Sequence, residues 1–282
     1  MSADASALPL VGRDRIIGYG LMLVAVLCVV GPFAWIFMSS FKHQIAILTG
    51  AWSFTPTWSN YAEVLFGRRS DFVGNVRNSA VVASVSTMLV LVVGTLAAYS
   101  LHRFRWARWV ITGFLGWTLI FHMIPALTLV GPWYIAFREL GWYDTLGGLI
   151  LTHVTMNLPM TVWLMMAFFS EIPPEIEEAA QVDGCSPLEA FRHIALPLAV
   201  PGLIAAGILA FIFSWNEFSI ALNLTARDTA TVPVAIARFA QQYEVQHSQM
   251  AAAAVISTIP ALLLMALGQR FIVRGLTLGS VK

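Results

Sequence analysis

The sequence predicts an all-α integral membrane protein with six transmembrane helices. Three observations point there. Hydrophobic residues make up 58% of the chain against 11% charged, with a mean hydropathy of +0.76, outside the range of soluble globular domains. Six apolar segments are long enough to cross a bilayer. The acidic residues are not spread evenly: six of the fifteen carboxylates (Glu171, Glu175, Glu177, Glu178, Asp183 and Glu189) fall in one stretch between apolar segments. A polar knob of that kind in an apolar protein belongs in water.

Residues 1–15 form a polar N-terminal segment ending in Arg13 and Arg15. The first span is expected over 16–41, which carries no charge and exceeds the ~20 residues needed to cross ~30 Å of hydrocarbon. It reads as a retained anchor, since the run is long and no small-x-small cleavage site follows. Gly31-Pro32 is expected to bend it. The polar excursion that follows contains Trp52, Trp58, Asn60 and Tyr61, aromatic and amphipathic groups suited to a membrane interface. Further spans are expected over 79–101, over 109–131 with His122 and Pro125 inside, over 146–170 with His153, Asn157 and Pro159, over 198–221, and over 250–273 with Pro260 near its middle. A loop at 171–197 and a tail at 274–282 complete the chain.

Charge orients the spans. An internal N-terminus collects Arg13, Arg15, Arg103, Arg105, Arg108, Arg192, Arg270, Arg274 and Lys282 in short cytoplasmic segments, nine against seven in the longer outer loops. Both termini and the loop 171–197 are then cytoplasmic.

Composition also excludes. A net charge of +1 without a basic stripe argues against nucleic acid. Neither lysine, Lys42 or Lys282, lies in a phosphate-binding G-x-x-x-x-G-K-[ST] motif, so ATP chemistry must come from another subunit. Cys28 and Cys185 would lie in membrane and cytoplasm, where a disulfide is not expected. Isolated histidines in different spans match no metal-ligand spacing, and H-E-x-x-H and G-x-S-x-G are absent, which argues against an enzyme.

The loop has a clear local grammar. Pro173 and Pro174 suit a helix start, and Gly184 suits a left-handed C-terminal cap. Ser186, Pro187 and Glu189 form a capping box that opens a second helix. Leu188, Phe191 and Ile194 recur on one face, and Pro197 is expected to end it.

These residues resemble a known family. Glu178-Ala179-Ala180, Asp183-Gly184, Phe191, Ile194, Leu196-Pro197 and Pro201 are similar to the EAA loop of the membrane subunits of ATP-binding-cassette importers, with Cys185 where alanine is usual. The ending Gln269 to Lys282 resembles the QR-x-x-V-x-GLT-x-GAVKG terminus of the maltose-type carbohydrate branch, smaller subunit, with Ser280 in place of alanine and the last glycine missing. Ser214-Trp215-Asn216-Glu217-Phe218 and Asn60-Tyr61 fit the same branch. On residues alone, an ordinary solvated hairpin between spans is the alternative.

The resemblance implies the type I importer permease (MetI-like) fold. It also implies a sugar, oligosaccharide or polyol permease working by alternating access in the inner membrane of a bacterium. The implied partners are a homologous second permease, two copies of a cytoplasmic ATPase and an extracytoplasmic solute-binding protein. This chain would hold no cofactor, ATP and Mg being bound by the ATPase subunits. Residues implied to couple to the ATPase are Glu178, Ala179, Ala180, Asp183, Gly184, Phe191, Ile194 and Pro197. The small alanines allow close approach, Glu178 is free for an arginine, and Phe191 and Ile194 anchor the second helix. Tail contacts are implied for Gly275, Thr277, Gly279 and Lys282, and the segment 222–249 is expected to enter the binding protein's cleft.

Polar groups at membrane depth face the bundle interior or a watery cavity. His122, His153, Asn157, Trp163 and Asn216 are therefore candidates for the solute pathway, where sugar hydroxyls need hydrogen bonds and ring faces need aromatics. Bonds between helices are the competing role. Glu217, at the outer end of its span, is expected to hydrogen-bond the adjacent loop. A carrier driven by an ion gradient is the alternative function, but it explains neither the bent loop nor the tail, and no inverted repeat is visible.

Overall fold

A computed structural model describes residues 12–68, 70–240 and 245–278, and all regular structure among them is helical. The helices are α1 (Gly12–Ser40), α2 (Gln44–Leu48), α3 (Ser59–Phe66), α4 (Phe72–Arg103), α5 (Arg108–Met123), α6 (Ala126–Glu139), α7 (Leu146–Ser170), α8 (Pro174–Val182) and α9 (Pro187–Ala190). A π-helical turn, Phe191–Ala195, leads to α10 (Leu196–Leu198), α11 (Val200–Trp215), α12 (Ser219–Leu224), α13 (Val232–Arg238) and α14 (His247–Leu278). Among the described residues four helices are long and apolar enough to cross a membrane, and six spans result when each of two bent helix pairs counts as one.

The centre of the bundle is the seam between α4 and α7. Lipid tails are as apolar as leucine, so helices in a membrane associate by close packing, for which small residues clear the way. A Cβ on Gly94 would stand 2.8 Å from Thr161 Cγ2, and one on Gly202 of α11 would stand 2.4 Å from the Phe168 ring. Around these contacts Val162, Met165, Phe169 and Ala206 are fully buried.

Two spans depart from the outline expected of them. Between 109 and 131 the chain breaks after Met123, and α5 meets α6 at 97°. Pro125 is the cause: the residue before a proline is pushed to extended backbone, and Ile124 has φ −72° and ψ 122°. Pro197 likewise does not end its helix. The ladder widens to a π turn just before it, the helix continues to Leu198, and the chain then bends by 71° into α11. Pro197 and Pro201 both stand in the first turn of their helices, where a missing N–H costs little, and the corner is bridged by the Ala199 N–H to the Ala195 carbonyl at 3.0 Å and the Leu203 N–H to the Ala199 carbonyl at 3.0 Å.

The segment expected to be a free loop over 222–249 is mostly packed. Leu224, Ala230, Val232, Val234 and Ala235 are all buried. Asn78 donates to the carbonyls of Asp228 at 2.8 Å and Ala230 at 3.1 Å, and Ser79 Oγ accepts the Val232 N–H at 2.8 Å. The apolar side chains outweigh the polar ones in deciding where this segment lies. Among its described residues Leu222, Asn223, Arg227, Asp228 and Ala240 remain exposed, and 241–244 lie outside the described residues.

Helix α1 runs unbroken through Pro32 and packs chiefly against α14, leaving its apolar window unburied. Its C-terminal end is fastened by Lys42, which is almost fully buried, donates to the Ala51 carbonyl at 2.8 Å and lies over the rings of Trp35 and Phe54. At the other terminus α14 continues as helix through Gly275 and Thr277 to Leu278, in place of the tail expected from 274. Gly279 and Lys282 lie outside the described residues.

Candidate functional site

Two sites emerge, one inside the bundle and one on the loop. Inside, α7, α11 and the end of α5 enclose a cavity of about 180 Å³ lined by His122, His153, Asn157 and Glu217, with Met156, Met160 and Phe213 supplying apolar wall. His153 is buried and its Nδ1 is hydrogen-bonded to Ser214 Oγ, which in turn lies 3.1 Å from Ser86 Oγ of α4. Its Nε2 has no hydrogen-bond partner among the described residues. Asn157 donates to the carbonyl of His153 at 2.9 Å, one turn back along α7.

Three of the five pathway candidates, His122, His153 and Asn157, thus share one cavity. The other two do not join them. Trp163 donates from Nε1 to Thr118 Oγ1 at 2.8 Å, tying α7 to α5. Asn216 lines a separate groove beside α13 and bonds its own helix, donating to the Ile212 carbonyl at 3.0 Å. Glu217 makes the local bonds expected of it, accepting the N–H groups of Ile220 at 2.8 Å and Ala221 at 3.0 Å, and it also faces the cavity. Sequence reasoning did not join Ser214 and Ser86 to this site, because a serine in an apolar run carries no signal of its own partner.

The loop forms the second site. Pro174 opens α8 and Gly184 follows its end with φ +97°, a left-handed conformation that L side chains rarely adopt. Ser186 caps α9: its hydroxyl accepts the Glu189 N–H at 3.3 Å, and the Glu189 carboxylate accepts the Ser186 N–H at 2.7 Å. The Ser186 N–H first, and then the Ser186 hydroxyl, which also donates to the Glu189 carboxylate at 2.7 Å, hold that carboxyl below its usual range.

Glu178, Ala179, Asp183 and Gly184 are exposed, whereas Ala180 turns inward and is buried. Phe191 is buried, Ile194 half-buried and Pro197 exposed. Leu188 does not join the inner face expected of it, because Ala190 and Ala195 fill that place beside Phe191. It is 71% exposed and Val182 is 87% exposed, two large apolar side chains on the same loop as the free Glu178. Exposed apolar groups beside small residues and an acid suit a protein surface.

Comparison with known proteins assigns this architecture. Residues 90–278 match the family described as binding-protein-dependent transport system inner membrane component. A trehalose transport system permease protein of Mycobacterium tuberculosis is 39% identical over 273 residues, covering 95% of this chain and 94% of the relative. A trehalose/maltose transport system permease protein of Thermococcus litoralis is 35% identical over 267 residues, covering 93% and 95%. In structure, the chain is similar to a subunit of a bacterial ABC transporter involved in the import of the acidic polysaccharide alginate, with a TM-score of 0.78 and 24% identity over 93% of this chain and 99% of that one. The six-span bundle with its capped, bent loop therefore belongs to the binding-protein-dependent transport system inner membrane component family, the permease subunits of ATP-binding-cassette importers.

Proposed function

We propose that this permease imports a neutral sugar, oligosaccharide or polyol, working with a homologous second permease, two copies of the ATPase and an extracytoplasmic binding protein. The observation that carries the substrate class is the 39% identity, over nearly the whole chain, to a trehalose permease. The cavity chemistry agrees: its wall offers a carboxylate, two imidazoles and a carboxamide, a set that pairs with hydroxyl groups. Both termini and the loop 171–197 face the cytoplasm. There Glu178, Ala179 and Gly184, flanked by Val182 and Leu188, form the surface that meets an ATPase subunit. The ATPase subunits bind ATP and Mg, closing on ATP and moving the loop. The cavity alternates between outward and inward access.

Purification of the complex with wild-type and Gly184→Arg chains tests this reading, together with uptake of labelled trehalose and maltose. We expect an ATPase subunit and a second permease to accompany the wild type, the ATPase to be lost from the variant, and uptake to require ATP. A wild-type chain that purifies alone and accumulates sugar on an ion gradient overturns it.

A further inference from the structure

Glu177 is a charged residue of the loop that the docking surface does not use. Its neighbours Glu178 and Ala179 face outward, yet its own side chain is 5% exposed. A carboxylate so far removed from water persists only when paired and hydrogen-bonded. Both oxygens are taken: Arg103 donates from Nε to Oε1 at 2.7 Å, and the Tyr99 hydroxyl donates to Oε2 at 2.5 Å. Arg103, itself 11% exposed, also donates from a terminal nitrogen to the Ile172 carbonyl at 2.7 Å, just ahead of α8.

Tyr99 and Arg103 are four residues apart and share one face of α4. The Tyr99 ring lies 4.6 Å, centroid to centroid, from Phe191 in the π turn, and 5.4 Å from Phe169 at the end of α7. Both halves of the loop therefore fasten onto a single turn of α4. From that turn α4 runs inward past the close contact of Gly94 with Thr161 to Ser86, which is bonded to Ser214 beneath the cavity. The 17 residue steps from Ser86 to Arg103 span about 25 Å of helix.

We propose that Glu177, Arg103 and Tyr99 are positioning residues that form a rigid joint between the loop and α4. The joint passes displacement of the loop to α4, whose Ser86 is bonded to Ser214 of the cavity wall, and so sets how much solute moves per ATP hydrolysed. The proposal rests on the reading that the loop meets an ATPase. Docking is the task of the outer face of α8, while transmission belongs to this inner one. An arginine is suited to the role because its planar fork holds Glu177 and the Ile172 carbonyl together, whereas a lysine offers one flexible point charge.

The test uses the whole importer in proteoliposomes with its binding protein, measuring labelled trehalose taken up and ATP hydrolysed in the same samples. For Glu177→Gln and Arg103→Lys we expect assembly and ATP hydrolysis to persist while trehalose per ATP falls at least about fivefold. The exchange Glu177→Arg with Arg103→Glu restores the ion pair but not the bonds to Ile172 and Tyr99, and is expected to recover only part of the ratio lost by either single change. A readout independent of solute places spin labels on Cys185 and on Arg105→Cys in a Cys28→Ala background. Their separation is expected to be the same with and without ATP in the otherwise wild-type chain, and to change with ATP once Glu177→Gln is added. Uptake and hydrolysis that fall in parallel, with the ratio unchanged, reduce the cluster to a structural role and overturn the proposal. So does a label separation that changes with ATP before Glu177 is altered. Absence of an ATPase from the wild-type complex would instead remove the docking reading, and this proposal with it.

Discussion

Glu217 Oε2, just beyond the end of α11, stands 3.7 Å from Nε2 of His153 on α7. The same carboxylate accepts the first free N–H groups of α12. One side chain thus starts a helix, closes one side of the cavity and faces the unpaired ring nitrogen of its neighbour.

Removing that carboxylate separates these roles. Glu217→Ala leaves the Ile220 and Ala221 N–H groups without their acceptor, a loss on the order of 1–3 kcal/mol for a buried group. Glu217→Gln keeps an acceptor oxygen and is expected to lose less. Thermal unfolding of the purified complex should rank them wild type, Gln, Ala.

His122 and Trp163 make a discriminating pair. His122→Ala removes a cavity wall with no described hydrogen bond, so stability should stay within about 0.5 kcal/mol while the KM for uptake rises. Trp163→Phe breaks the bond to Thr118, which is expected to cost on the order of 0.5–1.5 kcal/mol with KM unchanged. Equal effects of both on KM would contradict the assignment.

The turn after α8 tests backbone strain alone, since a Cβ on Gly184 would meet no atom within 4 Å. Gly184→Ala at φ +97° should cost roughly 1–2 kcal/mol and weaken recovery of the ATPase subunit. Gly184→Asn, which tolerates left-handed backbone better, should do less harm. Co-purification at graded detergent stringency reads the order.

Acid should loosen the start of α9. The Glu189 carboxyl is held below its usual range by the N–H and hydroxyl of Ser186. Its stabilising contribution is therefore complete above the ordinary carboxylate range and is lost as pH falls through the lowered value. Amide exchange at Leu188 to Ala190, corrected for its intrinsic pH dependence, is expected to speed up in that window. Ser186→Ala, which keeps the backbone N–H, should weaken the dependence, and Glu189→Gln should abolish it.

What the sequence made legible was local. Pro174, Gly184, Ser186 and Glu189 sit within sixteen residues of one another, and each acts on backbone next to it, so the two helices of the loop and the turn between them follow from those residues alone. Glu177 could not be told from Glu178, because its burial depends on an arginine 74 positions away. The bond between His153 and Ser214 spans 61 positions and was hidden for the same reason. Pro125 was visible, but not that the helices beside it would diverge by 97°. Nor did the charges around α13 reveal that Val232, Val234 and Ala235 would draw it into the bundle.

The 71° corner at Ala199 changes what the loop can do to the fifth span. A straight helix would carry a displacement of its loop end along its own axis, as a piston does. Across this corner only the smaller component of a movement along Pro187–Leu198 points down α11, and the larger component pushes it sideways. The geometry is that of a crank, in which a short stroke at the membrane surface becomes a tilt, and Ser214 and Glu217 ride at the far end of the tilting arm.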